Sequence, residues 1–215
     1  MSNIRSGEAF VACVVTALIL GCVPAVFAQD RMPPIQVDDM TEAQKEVAAK
    51  YEAERGSTIG TGPWAPLLRT PEILRLMLDM RTHVRDRTLL GPRLSEFAML
   101  IAAREWTQQY VWNAHRPAAV RAGLSREIIT ALAAGRRPQQ MAEDEEILYD
   151  FCIELHRNKS VSDATYARAL EAFNEEGIVE AVVIEGYYAL IAMVMNTART
   201  PLREGVSPPL VTFPR

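Results

Sequence analysis

One stretch constrains this chain more than any other. From Ile178 to about Ala198 it reads IVEAVVIEGYYALIAMVMNTA, apolar on every broad side and long enough to span a bilayer as a helix. It also carries Glu180 and Glu185, and a carboxylate at membrane depth is costly. The stretch is therefore expected as a helix buried within the protein or between subunits, which requires other apolar helices to cover it.

The remaining sequence supplies them. Thr41 followed by Gln44 is a capping-box signature and predicts a helix to about Arg55. Gly56, Gly60, Gly62 and Pro63 predict a loop in which Trp64 and Leu67-Leu68 pack down. Thr70-Pro71, an N-cap before a first-turn proline, opens a helix to about Arg87. Gly91-Pro92 reads as a break. Phe97, Leu100 and Ile101 then follow at helical spacing in a segment from Leu94 to Trp106. Further helices are expected from Gln108 to Ala122, from Ser125 to Gly135, from Glu143 to Lys159 and from Ser162 to Asn174, before the apolar one. No stretch alternates as a strand would. The reading is an all-α, single-domain helical bundle.

At the N-terminus, Arg5 precedes an apolar run from Ala9 to Ala28 that ends in Val26-Phe27-Ala28. This predicts a signal peptide over 1–28, a mobile leader over 29–40, a folded domain over 41–205 and a tail over 206–215, with periplasmic or secreted localisation. Two alternatives stay open: a lipoprotein signal ending at Cys22, and a retained membrane anchor. After cleavage Cys152 is the lone cysteine, so no intramolecular disulfide is available. With 49% hydrophobic residues and a net charge of -4, whole-chain disorder is excluded, and the acidic balance argues against a nucleic-acid partner.

The chain has no P-loop, dinucleotide turn, HExxH or GxSxG, and no cofactor or metal is expected. His83, His115 and His156 fall on different helices. Cys152 has acidic neighbours, which favours an inert buried thiol. The informative segment runs from Glu96 to His115. Two successive antiparallel helices can bring these two together in a partly desolvated cleft. There the carboxylate is expected to raise the imidazole pKa, so that the pair shuttles a proton near neutral pH. The plainer alternative is a packed helix pair in which His115 satisfies a core hydrogen bond.

The order SEFAMLIAAREWTQQYVWNAHRPAAVRAGLS, flanked by GTGPWAPLLRTPEI, VSDATYARALEAF and VEAVVIEGYYALIAMVMNTARTPLREG, resembles the carboxymuconolactone decarboxylase family, which includes the alkyl hydroperoxidase D group. The resemblance covers about Thr41 to Gly205. It implies the helical bundle of that family, a homotrimer or hexamer, and Glu96 and His115 as acid–base residues. In the peroxidase branch a Cys-x-x-Cys lies between glutamate and histidine. Here those positions hold Gln108 and Val111, so dithiol peroxidase chemistry is opposed.

The decarboxylase branch implies loss of carbon dioxide from a lactone acid, with a dienolate to stabilise and reprotonate. On this reading Arg104 faces an anionic small-molecule substrate, Tyr110, Trp112 and Tyr187 wall the pocket, and His83 is a candidate third polar group. The alternatives are a binding or scaffold oligomer with a decayed site, and family-level peroxidase activity. Mass spectrometry of the exported form should find a chain that begins at Gln29 and carries no lipid. A diacylated Cys22 at the new N-terminus would reverse the expectation of a cleaved signal.

Overall fold

The computed structural model describes residues 30–212; the expected signal peptide, with Cys13 and Cys22, lies outside them. Eight α-helices and one 3-10 turn, and no strand, are found among the described residues. They are α1 (Glu42–Arg55), α2 (Trp64–Leu67), α3 (Pro71–Asp86), α4 (Gly91–Glu105), α5 (Gln109–Arg121), α6 (Arg126–Ala133), α7 (Glu143–Asn158) and α8 (Asp163–Ala198).

The centre of the bundle is α4. Every residue from Leu94 to Arg104 is buried, and the helix is covered by α5, α7 and α8, with α3 and α6 completing the shell. Phe97, Leu100 and Ile101 have no exposed surface. The chain break expected at Gly91-Pro92 is instead the first turn of α4, where a missing N–H costs nothing because that donor has no helical acceptor.

The capping box on α1 is present, with Thr41 accepting from the Gln44 N–H and Gln44 accepting from the Thr41 N–H. Ser125 and Ser162 cap α6 and α8 through the side chain alone, accepting from the N–H groups of Ile128 and Thr165. Thr70 does not cap α3: its hydroxyl donates to the Leu67 carbonyl at 3.2 Å, and Pro71 alone marks the start. Trp64–Leu67, expected as loop, closes into the short helix α2 because Ala65, Pro66 and Leu67 are buried against the core.

The last two expected helices are run together as α8, broken at Asn174, whose φ is 55° and ψ -180°. Its side-chain oxygen accepts from the N–H groups of Glu176 (2.8 Å) and Gly177 (3.1 Å), an internal N-cap for the second half. A Cβ at Gly177 would lie 2.8 Å from Phe173 Cβ, so a glycine is needed just after the kink. The apolar half then buries Ile184, Tyr188, Ile191 and Met195 and leaves Val179, Val182, Leu190 and Met193 outward.

Both ends of the described chain are tied down. In the leader, the Arg31 N–H donates to the Ala198 carbonyl at 2.7 Å, and Arg69 donates to the Pro33 carbonyl at 2.9 Å. In the tail, Leu210 is buried and exchanges two hydrogen bonds with the Gln109 amide.

Between α7 and α8, Glu185 is 1% exposed and sits 2.6 Å from His156 Nε2. Burial lowers the His156 pKa, but the hydrogen bond and charge of Glu185 outweigh it and the net shift is upward. A histidine pKa raised by folding stabilises the fold below its unfolded value, and that contribution is lost as pH rises through the folded value. Separately from that pH dependence, His156→Ala strands the Glu185 carboxyl, whose pKa burial already pushes up, and should cost up to about 3–5 kcal/mol. Urea denaturation measures this, and His156→Gln should retain part of the loss.

Candidate active site

The helices α4 and α5 run against each other, with the reversal made at Trp106–Gln108, where Thr107 takes a positive φ of 47°. The Gln108 side chain caps α5 by accepting from the Tyr110 N–H at 2.7 Å. This turn sets the register in which Glu96 of α4 meets His115 of α5. The carboxylate oxygen lies 2.8 Å from His115 Nδ1, and both side chains are buried.

The neighbours define the chemistry. Arg85 Nη2 donates to the other oxygen of Glu96 at 3.4 Å. The Tyr188 ring meets the imidazole edge-on, with centroids 4.9 Å apart and planes at 82°. Tyr187 packs edge-on against Tyr188 and donates its hydroxyl to the Met77 carbonyl at 3.0 Å. His115 opens onto a cavity of about 280 Å³ whose wall includes Trp64, Arg81, Arg85, Tyr110 and Tyr187. Tyr110 is held flat against Gly62, where a Cβ would come within 2.9 Å of the ring; Gly62 also has a φ of 68°, so glycine suits both demands.

Burial lowers the His115 pKa, and although Glu96 pulls it upward, Arg85 and Arg81 push it down again. The net direction is downward. This corrects the expectation that the carboxylate would raise it: a fully enclosed imidazole beside two arginines favours its neutral form. Nδ1 then carries the hydrogen and donates to Glu96, which leaves the Nε2 lone pair as the basic atom. Arg81 is itself pushed down, first by burial and then by Arg85 and Arg55. The cavity thus holds like charges that an anion would relieve.

Of the residues expected from sequence, Glu96, His115, Tyr110 and Tyr187 come together here. Three do not. Arg104 is buried at the end of α4 and donates to the Val211 carbonyl at 2.8 Å, so it holds the C-terminal segment rather than facing the cavity. Trp112 points into the core, 1% exposed, because α5 turns that side toward α4. His83 lies on the outer side of α3, 2.6 Å from Glu180.

The sequence reading missed Arg81, Arg85, Tyr188 and Trp64. The arginines had a signal: RTHVR places two cations four residues apart, on one face of a helix. Gln108 and Val111 occupy the two expected thiol positions, and Val111 lines the cavity. Cys152 is fully buried beside Glu185, and burial followed by that negative charge pushes the thiol well above its usual range. Among the described residues, no three His, Cys, Asp or Glu side chains gather as a metal would require.

The sequence matches no family model and no curated protein. Solved structures do match. A peroxidase-related protein from Silicibacter sp. TM1040 aligns over 83% of this chain and 96% of its own, at TM-score 0.64 and 12% identity. The alkylhydroperoxidase AhpD core protein from Ralstonia eutropha JMP134 covers 81% of this chain and 92% of its own, at TM-score 0.61 and 14% identity. The chain has the AhpD-like fold. A debrominase, Bmp8, solved in complex with 2,3,4-tribromopyrrole, shares it at TM-score 0.62 and 12% identity, over 82% of this chain and 94% of that one.

Within this AhpD-like bundle the His115 titration is directly measurable. Imidazole NMR should place its pKa below the ordinary value of about 6.5. A basic group lowered by folding leaves stability intact above the unfolded pKa and erodes it as pH falls toward the folded one. Replacing Arg81 and Arg85 by methionine should raise the His115 pKa, since two repelling charges are removed.

Proposed function

We propose that this protein is an exported, cofactor-free acid–base enzyme, a lyase or isomerase acting on a small carboxylated or lactone-type molecule. The observation that carries this reading is the Glu96–His115 hydrogen bond at the wall of a cavity that also presents Arg81 and Arg85. Neutral His115, oriented by Glu96, takes a proton from carbon through Nε2. The arginines carry the negative charge that develops on the substrate oxygen. Tyr110, Tyr187 and Trp64 flank a flat organic body.

An isomerisation balances inside the site, because the proton taken from one carbon returns to another. In a decarboxylation the carbon–carboxylate bond breaks and its electron pair passes into a dienolate. One proton, relayed from solvent by the imidazole, then completes the product. A debrominase of the same fold is complexed with a small ring, tribromopyrrole, which agrees in scale with a cavity of about 280 Å³. Trp112 lies in the core instead of filling the cavity, which favours an enzyme over a scaffold with a decayed site. The carboxylated class is supported by the arginines, and export by the apolar run from Ala9 to Ala28.

The test is a panel of unsaturated carboxylated lactones, followed by loss of ultraviolet absorbance and by carbon dioxide release. Glu96→Gln and His115→Ala should each lower kcat by about a hundredfold or more. The double variant should lose little beyond either single one, since the two residues act as one unit. Arg81→Met and Arg85→Met should lower kcat, and raise KM as well where the substrate is itself an anion, with the fold unchanged. Reductant-dependent peroxide turnover should be absent; turnover that disappears in Cys152→Ser would relocate the chemistry.

A further inference from the structure

Outside the cavity, one surface stands apart. On α8 the residues that face outward between Glu176 and Arg199 are Val179, Val182, Gly186, Leu190 and Met193, followed by the polar Asn196 and Thr197, and no charged side chain is exposed until Arg199. Val179 is 60% exposed, and a Cβ at Gly186 would meet nothing within 4 Å. Beside it, α3 exposes Ile73, Leu76 and Met80, of which Leu76 is 54% exposed. His83, three residues beyond Met80 on α3, reaches Glu180 of α8, so the two apolar stripes adjoin. A contiguous patch of seven large apolar side chains is more than a free monomer surface normally leaves uncovered.

The pattern along α8 is symmetric about Gly186. Val182 and Leu190 stand four residues to either side, Val179 and Met193 seven, and Glu175 and Thr197 eleven. The two ends carry opposite charge. Glu175 and Glu176 lie at the N-terminal end, while Arg199 and Arg31 lie at the other, with Arg31 Nη1 donating to the Thr197 carbonyl at 3.3 Å. Turned end for end, this face matches itself in residue spacing and is complementary to itself in charge.

We infer that the outward face of α8, flanked by the α3 stripe, is a two-fold interface between two copies of this chain. The two α8 helices run antiparallel and cross at Gly186. Val182 packs on the partner's Leu190, Val179 on the partner's Met193, and Glu175 approaches the partner's Arg31. An isologous contact of this kind closes on itself and buries both patches at once. The antiparallel arrangement also sets each helix's negative C-terminal end beside the other's positive N-terminal end. A membrane surface fits less well, because Glu175 and Glu176 stand at one end of the face.

Light scattering on the purified, naturally processed chain should give an even multiple of the protomer mass at micromolar concentration. L190E should halve that mass while the helical circular dichroism is retained. Under mild oxidation, G186C should form a covalent dimer joined through position 186, which lies on the two-fold. E175R and R31E should each weaken association several-fold, and E175R combined with R31E should regain most of it. A monomer, an odd-numbered assembly, or a mass unchanged by L190E overturns the interface. So does binding to vesicles of phosphatidylcholine and phosphatidylglycerol in place of self-association. If L190E fails to fold, the charge-swap series decides alone, and lack of recovery in the double variant counts against the contact.

Discussion

Burying α4 on every side obliges each polar group it carries to find a partner inside the protein. An unpaired buried charge would cost several kcal/mol, a large share of a typical domain's stability. Three side chains face that demand, and each one organises a different region. Ser95 turns back to the Pro92 carbonyl and finishes the first turn. Arg104 reaches out to Val211 and fastens the C-terminal segment to the body. Glu96 draws in His115 from α5 and Arg85 from α3, and that convergence creates the candidate site.

All three histidines of the described chain sit 2.6 to 2.8 Å from a glutamate, yet their settings differ. His83–Glu180 lies at the outer surface beside the apolar patch. His156–Glu185 is buried with Glu105 adding negative charge and only Lys159 opposing it, and the carboxylates prevail over burial, so the imidazole pKa rises. His115–Glu96 is enclosed with Arg81 and Arg85 nearby, and the pKa falls. The same pair of residue types therefore yields a structural ion pair in one place and a neutral base in another. What separates them is first the deeper burial of His115 and then the positive charge of Arg85 and Arg81 beside it, not the pair itself.

Much of the architecture was legible in the sequence because its signals are local. The capping box at Thr41, the serine caps at Ser125 and Ser162 and the 3.6-residue spacing through Phe97 and Ile101 each act within one or two turns. Meetings between residues of distant segments were less accessible. Glu96 and His115 are 19 residues apart on consecutive helices, so one reversal was enough to suggest their approach. Arg104 and Val211 are 107 apart, and no local signal in the sequence leads the tail back to the arginine. Gly91-Pro92 misled for another reason. The same dipeptide can stop one helix or start the next, and only the packing of Leu90 and Leu94 against the core selects the start.

Sequence by itself determined that the chain is helical, that the stretch from Ile178 must be covered, and that no thiol pair stands between Glu96 and His115. These follow from periodicity, from the expense of burying Glu180 and Glu185 in lipid, and from the residues present. Tertiary structure alone decided which side chains share the cavity, and it reversed the expected direction of the His115 shift. Periodicity tells which face of a helix is buried, but not which neighbour buries it. A pKa depends on every charge within a few ångströms and on how far water is excluded. Both are properties of the assembled bundle, in which Arg81 and Arg85 of α3 arrive beside a histidine 30 or more positions away along the chain.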